Sequence, residues 1–205
     1  FGNLLTRDRP YVKLAKYIAN VNRSITQADL VEDLPFYRGA ASQKTEMMQL
    51  AIAYGYQNNI LIKKSFVDGI EFLRGESLTA TNLEEMRVSY SSDIAKGYKN
   101  ETAPFDQLHL LTQSAGMHWV NHHLVNGHRK EENVLTGFNM IVIDVDKGVN
   151  LSTAQMLLKD YKALFYTTKR HTEAEHRFRI VMPINYELKL DAKEYKEFMS
   201  NLFQW

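Results

Sequence analysis

The 205-residue sequence contains no cysteine and only four prolines. The absence of cysteine excludes a disulfide framework and every zinc site built on thiolates. The chain has no run of 18 or more apolar residues and no charged-then-apolar leader, so it predicts neither a membrane span nor a signal peptide. We therefore expect a soluble, cytoplasmic protein that does not interact with a membrane.

An excess of charge of either sign is also missing. The 25 Lys and Arg residues nearly balance the 24 Asp and Glu residues, which leaves a formal net charge of +1. Such a weak overall field cannot steer an anionic partner to the protein. Any nucleic acid or nucleotide must therefore meet a local basic patch.

What the sequence does contain divides into two regions. Up to about residue 60 the apolar residues recur at helical spacing, and a hairpin is predicted around Asp68-Gly69, because both central residues of such a turn need positive φ. Residues 75 to 104 are rich in turn and capping residues and form the candidate boundary. We expect an accessory α+β region over residues 1–103 and a second domain over residues 104–205.

The last third of the chain predicts the order β-α-β-β-α. An apolar strand over residues 139–145 precedes a helix that we expect to be capped by Ser152, with Leu151 packing against Met156. Two strands, "ALFYTT" and "RFRIVMP", come next, and a final helix begins near Asp191. In the split β-α-β arrangement the first and third of these strands are antiparallel neighbours, so the fold class is α+β with an RRM-like core.

Alternation along the strands separates apolar from charged side chains. Ile141 and Ile143 should face the core together with Phe178 and Ile180, and the helices should cover this face only. The opposite face, which we call the charged face, is then left open. It carries Asp144, Asp146, Arg177 and Arg179, and the turn at the same end supplies Lys169, Arg170, His171 and His176.

Two aspartates on one strand face can bind divalent cations. Mg²⁺ prefers oxygen ligands and usually completes its shell with water and substrate phosphates. With arginine and lysine available for the same phosphates, the set suits two-metal phosphoryl or nucleotidyl transfer. The simpler interpretation is structural: Asp144 begins a turn, Asp146 forms an ion pair, and the arginines pair with Glu173 and Glu175 on a solvated strand.

The segment "MIVIDVDKG…ALFYTTKRHTEAEHRFRIVMPI" resembles the catalytic core of the archaeo-eukaryotic primase superfamily, particularly the primase-polymerases of phages and plasmids. Their first motif, an apolar strand ending in D-x-D, is matched by Asp144 and Asp146. Their second, a small-x-His element, fits either "KRH" or "AEH" and so either His171 or His176, with His171 favoured because "TTKRHT" precedes "RFR". A third motif, an apolar residue followed by Asp, would fall beyond residue 205.

The resemblance implies a DNA primase or polymerase that copies single-stranded DNA from nucleoside triphosphates in phage or plasmid replication. Asp144 and Asp146 would hold two Mg²⁺ or Mn²⁺ ions, and His171 would contact the phosphates of the incoming nucleotide. Electrostatic support would come from Lys169, Arg170, His176, Arg177 and Arg179. A helicase domain or partner, and location in the host cytoplasm if the source is viral, are further implications.

Three other functions compete with this interpretation. A phosphatase of the haloacid-dehalogenase type also uses D-x-D after an apolar strand, but it needs Thr where this chain has Gly148, and a metal-dependent nuclease would normally use D-x-E. A non-catalytic RRM-like module that binds single-stranded nucleic acid could use the same face without metal. Metal-dependent triphosphate binding would separate these classes.

A cluster of histidines, "HWVNHHLVNGH", places His118 and His122 four residues apart, as on one face of a helix. No Glu follows in the H-E-x-x-H position and no cysteine is present, so we do not predict a metal site there. Half-buried or surface histidines are expected instead.

Overall fold

The computed structural model describes residues 8–204 and divides the chain into two compact units between Thr79 and Ala80. The division lies within the turn-rich stretch 75–104, but before the domain end predicted at residue 103. The difference comes from two strands, Met86–Ser91 and Lys99–Ala103, that belong to the second unit. The first of them contributes Met86 and Val88 to a core that also contains Met140 and Val181.

The first unit packs helices against a small sheet. Its elements are α1 (Pro10–Asn20), β1 (Ile25–Thr26), α2 (Gln27–Asp33), α3 (Ala41–Gln57), β2 (Ile60–Val67) and β3 (Ile70–Ser77). The strands are antiparallel in the order β1-β3-β2, and their core includes Leu14, Ile18, Met48 and Leu73. The predicted hairpin is confirmed, because Asp68 and Gly69 both have positive φ, 50° and 77°, between β2 and β3.

Within its described residues, the second unit contains two sheets and three α-helices. After β4 (Thr79–Ala80), its elements are β5 (Met86–Ser91), β6 (Lys99–Ala103), α4 (Leu108–Gln113), β7 (His118–Val120), β8 (Phe138–Val145), α5 (Leu151–Leu157), β9 (Leu164–Thr167), β10 (Phe178–Leu188) and α6 (Ala192–Leu202). One sheet has the order β6-β5-β7. His118 therefore lies in a strand rather than on a helix.

The other sheet has the predicted split β-α-β topology. The same residues of β10, Phe178 to Val181, pair antiparallel with β8 and with β9, so β10 lies between them. The prediction that the first and third strands of this segment are antiparallel neighbours is confirmed, as is the α+β fold class. β10 is longer than the predicted "RFRIVMP" and continues past Pro183 to Leu188. Its register with β8 becomes irregular between these two residues.

Both faces of this sheet are buried over part of their area. Ile141, Phe178 and Ile180 pack against α5 and α6, as the alternation predicts. The charged face is not open throughout, because Met140 and Val181 pack there against β5, Phe105 and Leu108. The expectation that helices cover only one face is therefore wrong, since α4 begins at Leu108. The charged face stays exposed only at its Asp144 end.

The starts of the two C-terminal helices differ in how well they were predicted. α6 is capped by Asp191, whose side chain accepts a hydrogen bond from the backbone of Glu194 in a capping box, as expected. α5 is capped by Asn150 and not by Ser152, because the Asn150 side chain reaches the Thr153 N–H at 2.8 Å. Met156 is 64% exposed, so the expected packing against Leu151 does not form.

Candidate active site

Two opposite-charge pairs face each other across β8 and β10. The register places Arg179 opposite Asp144, and Phe178 opposite Val145, so that Arg177 follows as the neighbour of Asp146. The Arg179 Nη2 donates a hydrogen bond to Asp144 Oδ2 at 3.3 Å. The Arg177 Nη1 lies 3.6 Å from Asp146 Oδ1. The predicted meeting of these four side chains is thus present in the structure.

The two kinds of side chain differ in exposure. Asp144 and Asp146 are 52% and 65% exposed, whereas Arg179 and Arg177 are 40% and 20% exposed. The carboxylates are therefore the more accessible members of the two pairs, and the arginine side chains are the more buried ones. Exposed pairs of this kind contribute little to stability, about 0–1 kcal/mol each. The two pairs therefore add little to the stability of the fold.

Tyr166 is a neighbour of Arg179 that the sequence analysis did not select. It lies on β9 directly opposite Arg179 in the β9–β10 register. Burial by itself would lower the pKa of Arg179, but the neighbouring Tyr166 and the Asp144 carboxylate outweigh it and raise that pKa. Among the described residues the Tyr166 hydroxyl is buried without a hydrogen-bond partner, so the hydrogen bond that Arg179 makes is the one to Asp144. Arg179 is thus held as a cation between two strands. Strand alternation on "ALFYTT" could have revealed this contact once the β9–β10 pairing was assumed.

Arg177 combines an ion pair with an unsatisfied donor. Its Nη2 lies 3.1 Å from Glu175 Oε1, which matches the simpler structural interpretation for this residue. Its Nε is buried and has no hydrogen-bond partner among the residues that the structure describes. A buried donor without a partner costs about 1–3 kcal/mol, and an anion that reached it would recover that energy. Glu173 forms no ion pair with either arginine in residues 8–204.

The two candidate histidines lie together in the turn between β9 and β10. Their rings are 5.1 Å apart and nearly perpendicular. The Nδ1 of His171 accepts from the Arg177 backbone N–H at 3.1 Å, and the Nδ1 of His176 accepts from the Leu151 N–H at 3.2 Å. In each neutral ring the proton is therefore on Nε2, which can donate to a ligand. His171 is tied to the backbone of Arg177, and His176 to the first residue of α5.

Lys169 and Arg170 occupy the same turn and are exposed. Within residues 8–204 neither side chain forms an ion pair with a carboxylate. They are positive charges at the end of the sheet that carries Asp144 and Asp146, without fixed contacts to either. Neither residue lines the shallow cavity of about 360 Å³ at this site. That cavity is lined by Asp146, Lys147, Gly148, Val149, Asn150, Ala174, Glu175 and His176.

Comparison with known proteins places this site in a recognisable segment. Residues 114–202 match the model of the VapE N-terminal domain. That family is associated with phage and plasmid replication, and the chain is similar to it from just before β7 to the end of α6. No curated protein and no solved structure matches the chain.

The VapE-like segment, residues 114–202, contains all eight predicted site residues. They are Asp144, Asp146, Lys169, Arg170, His171, His176, Arg177 and Arg179. The structure brings Asp144, Asp146, Arg177 and Arg179 into direct contact as pairs, and joins His171 to Arg177 through the backbone. The strands before the segment, β5 and β6, contribute to the core and to none of these contacts.

The VapE-like segment supplies some, but not all, of the ligands that a hard cation such as Mg²⁺ needs. Two exposed carboxylate groups on one strand offer the oxygen ligands that Mg²⁺ and Mn²⁺ prefer. Among the residues that the structure describes, no group of three or more His, Asp or Glu side chains could hold a metal ion. Asp191 does not complete the set, because its carboxylate caps α6. The remaining ligands would have to be water and phosphate.

No described helix is long and apolar enough to cross a membrane.

Proposed function

We propose that the chain belongs to a DNA primase or polymerase that carries out metal-dependent, template-directed nucleotidyl transfer on single-stranded DNA in phage or plasmid replication. The observation that carries the proposal is the pairing of Asp144 with Arg179 and of Asp146 with Arg177 at the exposed end of the charged face. One strand offers oxygen ligands for cations and its neighbour offers donors for phosphates. A metal-bound triphosphate has both requirements.

Binding of the triphosphate would exchange the partners of these four side chains. Asp144 and Asp146 would release the arginines and hold Mg²⁺ or Mn²⁺. Arg177 and Arg179 would then donate to phosphate oxygens, and the buried Nε of Arg177 would gain an acceptor. His171 would donate from Nε2 to the same phosphates, since its Nδ1 already accepts from the backbone.

When bound, the cations would supply Lewis-acid polarisation of the 3′-hydroxyl of the initiating nucleotide or growing strand and of the α-phosphate. The 3′-oxygen attacks the α-phosphorus, the bond to the β-phosphate oxygen breaks, pyrophosphate leaves, and the hydroxyl proton passes to water. Arg177 and Arg179 would stabilise the charge that develops on the phosphates. Lys169 and Arg170 in the neighbouring turn would add electrostatic attraction for the triphosphate or the template.

The second candidate function is a non-catalytic module that binds single-stranded nucleic acid. It is favoured by the finding that both aspartates are ion-paired and that no third carboxylate joins them in the part of the chain that the structure describes. In that case Arg177 and Arg179 would grip backbone phosphates without any role for a cation.

Two measurements separate these functions. The first is synthesis of labelled oligonucleotides on single-stranded DNA without primer, given nucleoside triphosphates and Mg²⁺ or Mn²⁺. The second is equilibrium binding of a triphosphate with and without Mn²⁺. Both use the chain, the double variant Asp144→Asn/Asp146→Asn, and Asp160→Asn as a control, because Asp160 is an exposed carboxylate outside the site.

The proposal predicts Mn²⁺-dependent triphosphate binding that the double variant loses and the control keeps, with product formation following the same pattern. The non-catalytic binding module is the better explanation of the site under two conditions. Single strands bind equally well to the chain and to the double variant, and the affinity for triphosphate is the same with and without Mn²⁺. Product formation that survives in the double variant would also contradict the proposal.

A further inference from the structure

A second cavity lies at the opposite end of β8 from Asp144. It has a volume of about 530 Å³ and borders Phe138, the first residue of β8, and the chain that enters α6. Pockets for small molecules usually have about 300–1,000 Å³, are mostly apolar, and contain a few polar groups. Leu124, Val134 and Leu135 supply apolar lining here. None of the residues in the proposed active site borders this cavity.

Three rings form a compact aromatic wall in the cavity. His122 lies 5.2 Å from Phe138 and 5.3 Å from Tyr195, and Phe138 and Tyr195 are themselves 5.3 Å apart in an edge-to-face arrangement. All three residues line the cavity. Phe138 is only 1% exposed and supports the other two rings from the core, so His122 and Tyr195 are the rings that a planar ligand can contact.

His122 gives this wall a hydrogen-bond acceptor. Asn121 donates from Nδ2 to the Met140 carbonyl at 2.8 Å, which orients its Oδ1 toward His122 Nδ1 at 3.2 Å. His122 therefore carries its proton on Nδ1, and its Nε2 is an acceptor without a partner among the described residues. Burial, and to a smaller extent the neighbouring His123, lower the pKa of His122 to about 4, so the ring is neutral at physiological pH.

One cation of the lining is not committed to a carboxylate. Lys196 lies 3.2 Å from Glu131, and Lys130 lies 3.6 Å from Glu132. Arg129 borders the same cavity, and its guanidinium forms no ion pair within residues 8–204. A guanidinium in this state suits a phosphate, to which it can donate two parallel hydrogen bonds.

We propose that this cavity is a second nucleotide site, in which the base packs against His122 and Tyr195, supported by the buried Phe138, and the phosphate binds Arg129. A purine or pyrimidine supplies both the planar ring that the aromatic wall accepts and the N–H donor that His122 Nε2 lacks. A lipid would leave the acceptor unsatisfied, and inorganic phosphate would leave the apolar lining unused. The nucleotide is either free or part of a single strand, and the site needs no divalent cation.

The test is equilibrium binding to the chain in the presence of EDTA, which separates this site from the metal-dependent one. The probes are AMP, adenosine, inorganic phosphate and a short oligodeoxyadenylate. Leu135→Trp narrows the cavity from its rim, where Leu135 is 42% exposed, and Leu110→Trp is the matched control at a position that is 56% exposed on α4. Arg129→Gln removes the phosphate partner, with Lys159→Gln as its control. Circular dichroism checks that each variant is folded.

The expected result is binding of AMP that Leu135→Trp weakens roughly tenfold or more and that Arg129→Gln weakens about tenfold, with adenosine unaffected by Arg129→Gln. Both control variants should bind as the parent chain does. Oligodeoxyadenylate that binds more tightly than AMP and is lost in Leu135→Trp identifies a strand as the source, whereas AMP binding alone identifies a free nucleotide.

The proposal is overturned if neither AMP nor the oligonucleotide binds, or if their binding is the same in Leu135→Trp. It is also overturned if binding in EDTA disappears in Asp144→Asn/Asp146→Asn and persists in Leu135→Trp, because the nucleotide would then occupy the other site. Failure here leaves the Mn²⁺-dependent assay of the proposed function unaffected.

Discussion

Protonation of His122 should destabilise the second unit in mildly acidic solution. Its pKa falls from the usual 6.5 to about 4 in the folded chain, because burial disfavours the charged ring. The unfolded chain therefore binds a proton that the folded chain excludes between these two values. The stabilising contribution is complete above pH 6.5 and is lost as the pH falls toward 4. The slope is about 1.4 kcal/mol per pH unit, or about 3 kcal/mol over the interval.

The variant His122→Phe isolates this contribution. It keeps a ring between Phe138 and Tyr195 but cannot titrate, so its free energy of unfolding should lack the part of the pH dependence that His122 supplies. Urea unfolding followed by tryptophan fluorescence suits the measurement, because both tryptophans, Trp119 and Trp205, follow Ala80 in the sequence.

The quantity to compare is the difference in the free energy of unfolding between the parent chain and His122→Phe at each pH. Contributions from the groups that the two chains share cancel in this difference. That difference should change by about 3 kcal/mol between pH 6.5 and 4. A parallel pH dependence in the parent and in His122→Phe would refute the argument that burial of His122 controls the acid stability of this unit.

Three further substitutions test other contacts. Asn139→Ala removes a buried side chain that accepts from the Arg87 N–H and donates to the Glu85 carbonyl, so urea unfolding should show a loss of about 2–4 kcal/mol. Gly75→Ala places a methyl group 2.6 Å from the Cα of Ala19, and thermal unfolding should show a loss of at least about 1–3 kcal/mol from the first unit. Arg179→Lys keeps the charge but loses the planar fork, and primer-free synthesis should fall about tenfold while the fold is kept.

Local signals predicted the elements of the VapE-like segment well. Alternation placed Asp144 and Arg179 on one face, and the antiparallel pairing of the first and third strands then brought them together. The Asp68-Gly69 hairpin was equally local, because the turn itself demands positive φ. Both predictions depend on neighbours within a strand or a turn, where sequence spacing translates directly into geometry.

Features that depend on distant parts of the chain were missed. The burial of Met140 and Val181 follows from packing against β5, and no periodicity in β8 reports which segment will cover its second face. The domain end was expected at residue 103 for the same reason, since turn-rich composition does not show that β5 and β6 pack with the later strands. The cap of α5 was misplaced because Asn150 and Ser152 are both good capping residues.

The candidate site likewise combines features that the sequence predicted with features that it did not. Sequence alone selected the residues that meet, and the position of Tyr166 opposite Arg179 would have followed from the β9–β10 pairing. The unsatisfied Nε of Arg177 could not be predicted, because it depends on side-chain conformation. The choice of His171 over His176 as the functional histidine stays a prediction. Both rings are held by backbone N–H groups, and each leaves Nε2 for a ligand.

The pairing of β8 with β10 also has a consequence for how this chain can change in length. The two strands keep a continuous register from Phe178 to Pro183, which includes the pair of Arg179 with Asp144, and the irregularity falls after Pro183, toward Leu188. An insertion or deletion of one residue within the regular part would turn Arg179 to the opposite face of the sheet. One placed between Pro183 and Leu188 would be absorbed by the existing bulge. Gaps among homologous sequences should therefore collect beyond Pro183 and leave the segment that carries the charges at constant length.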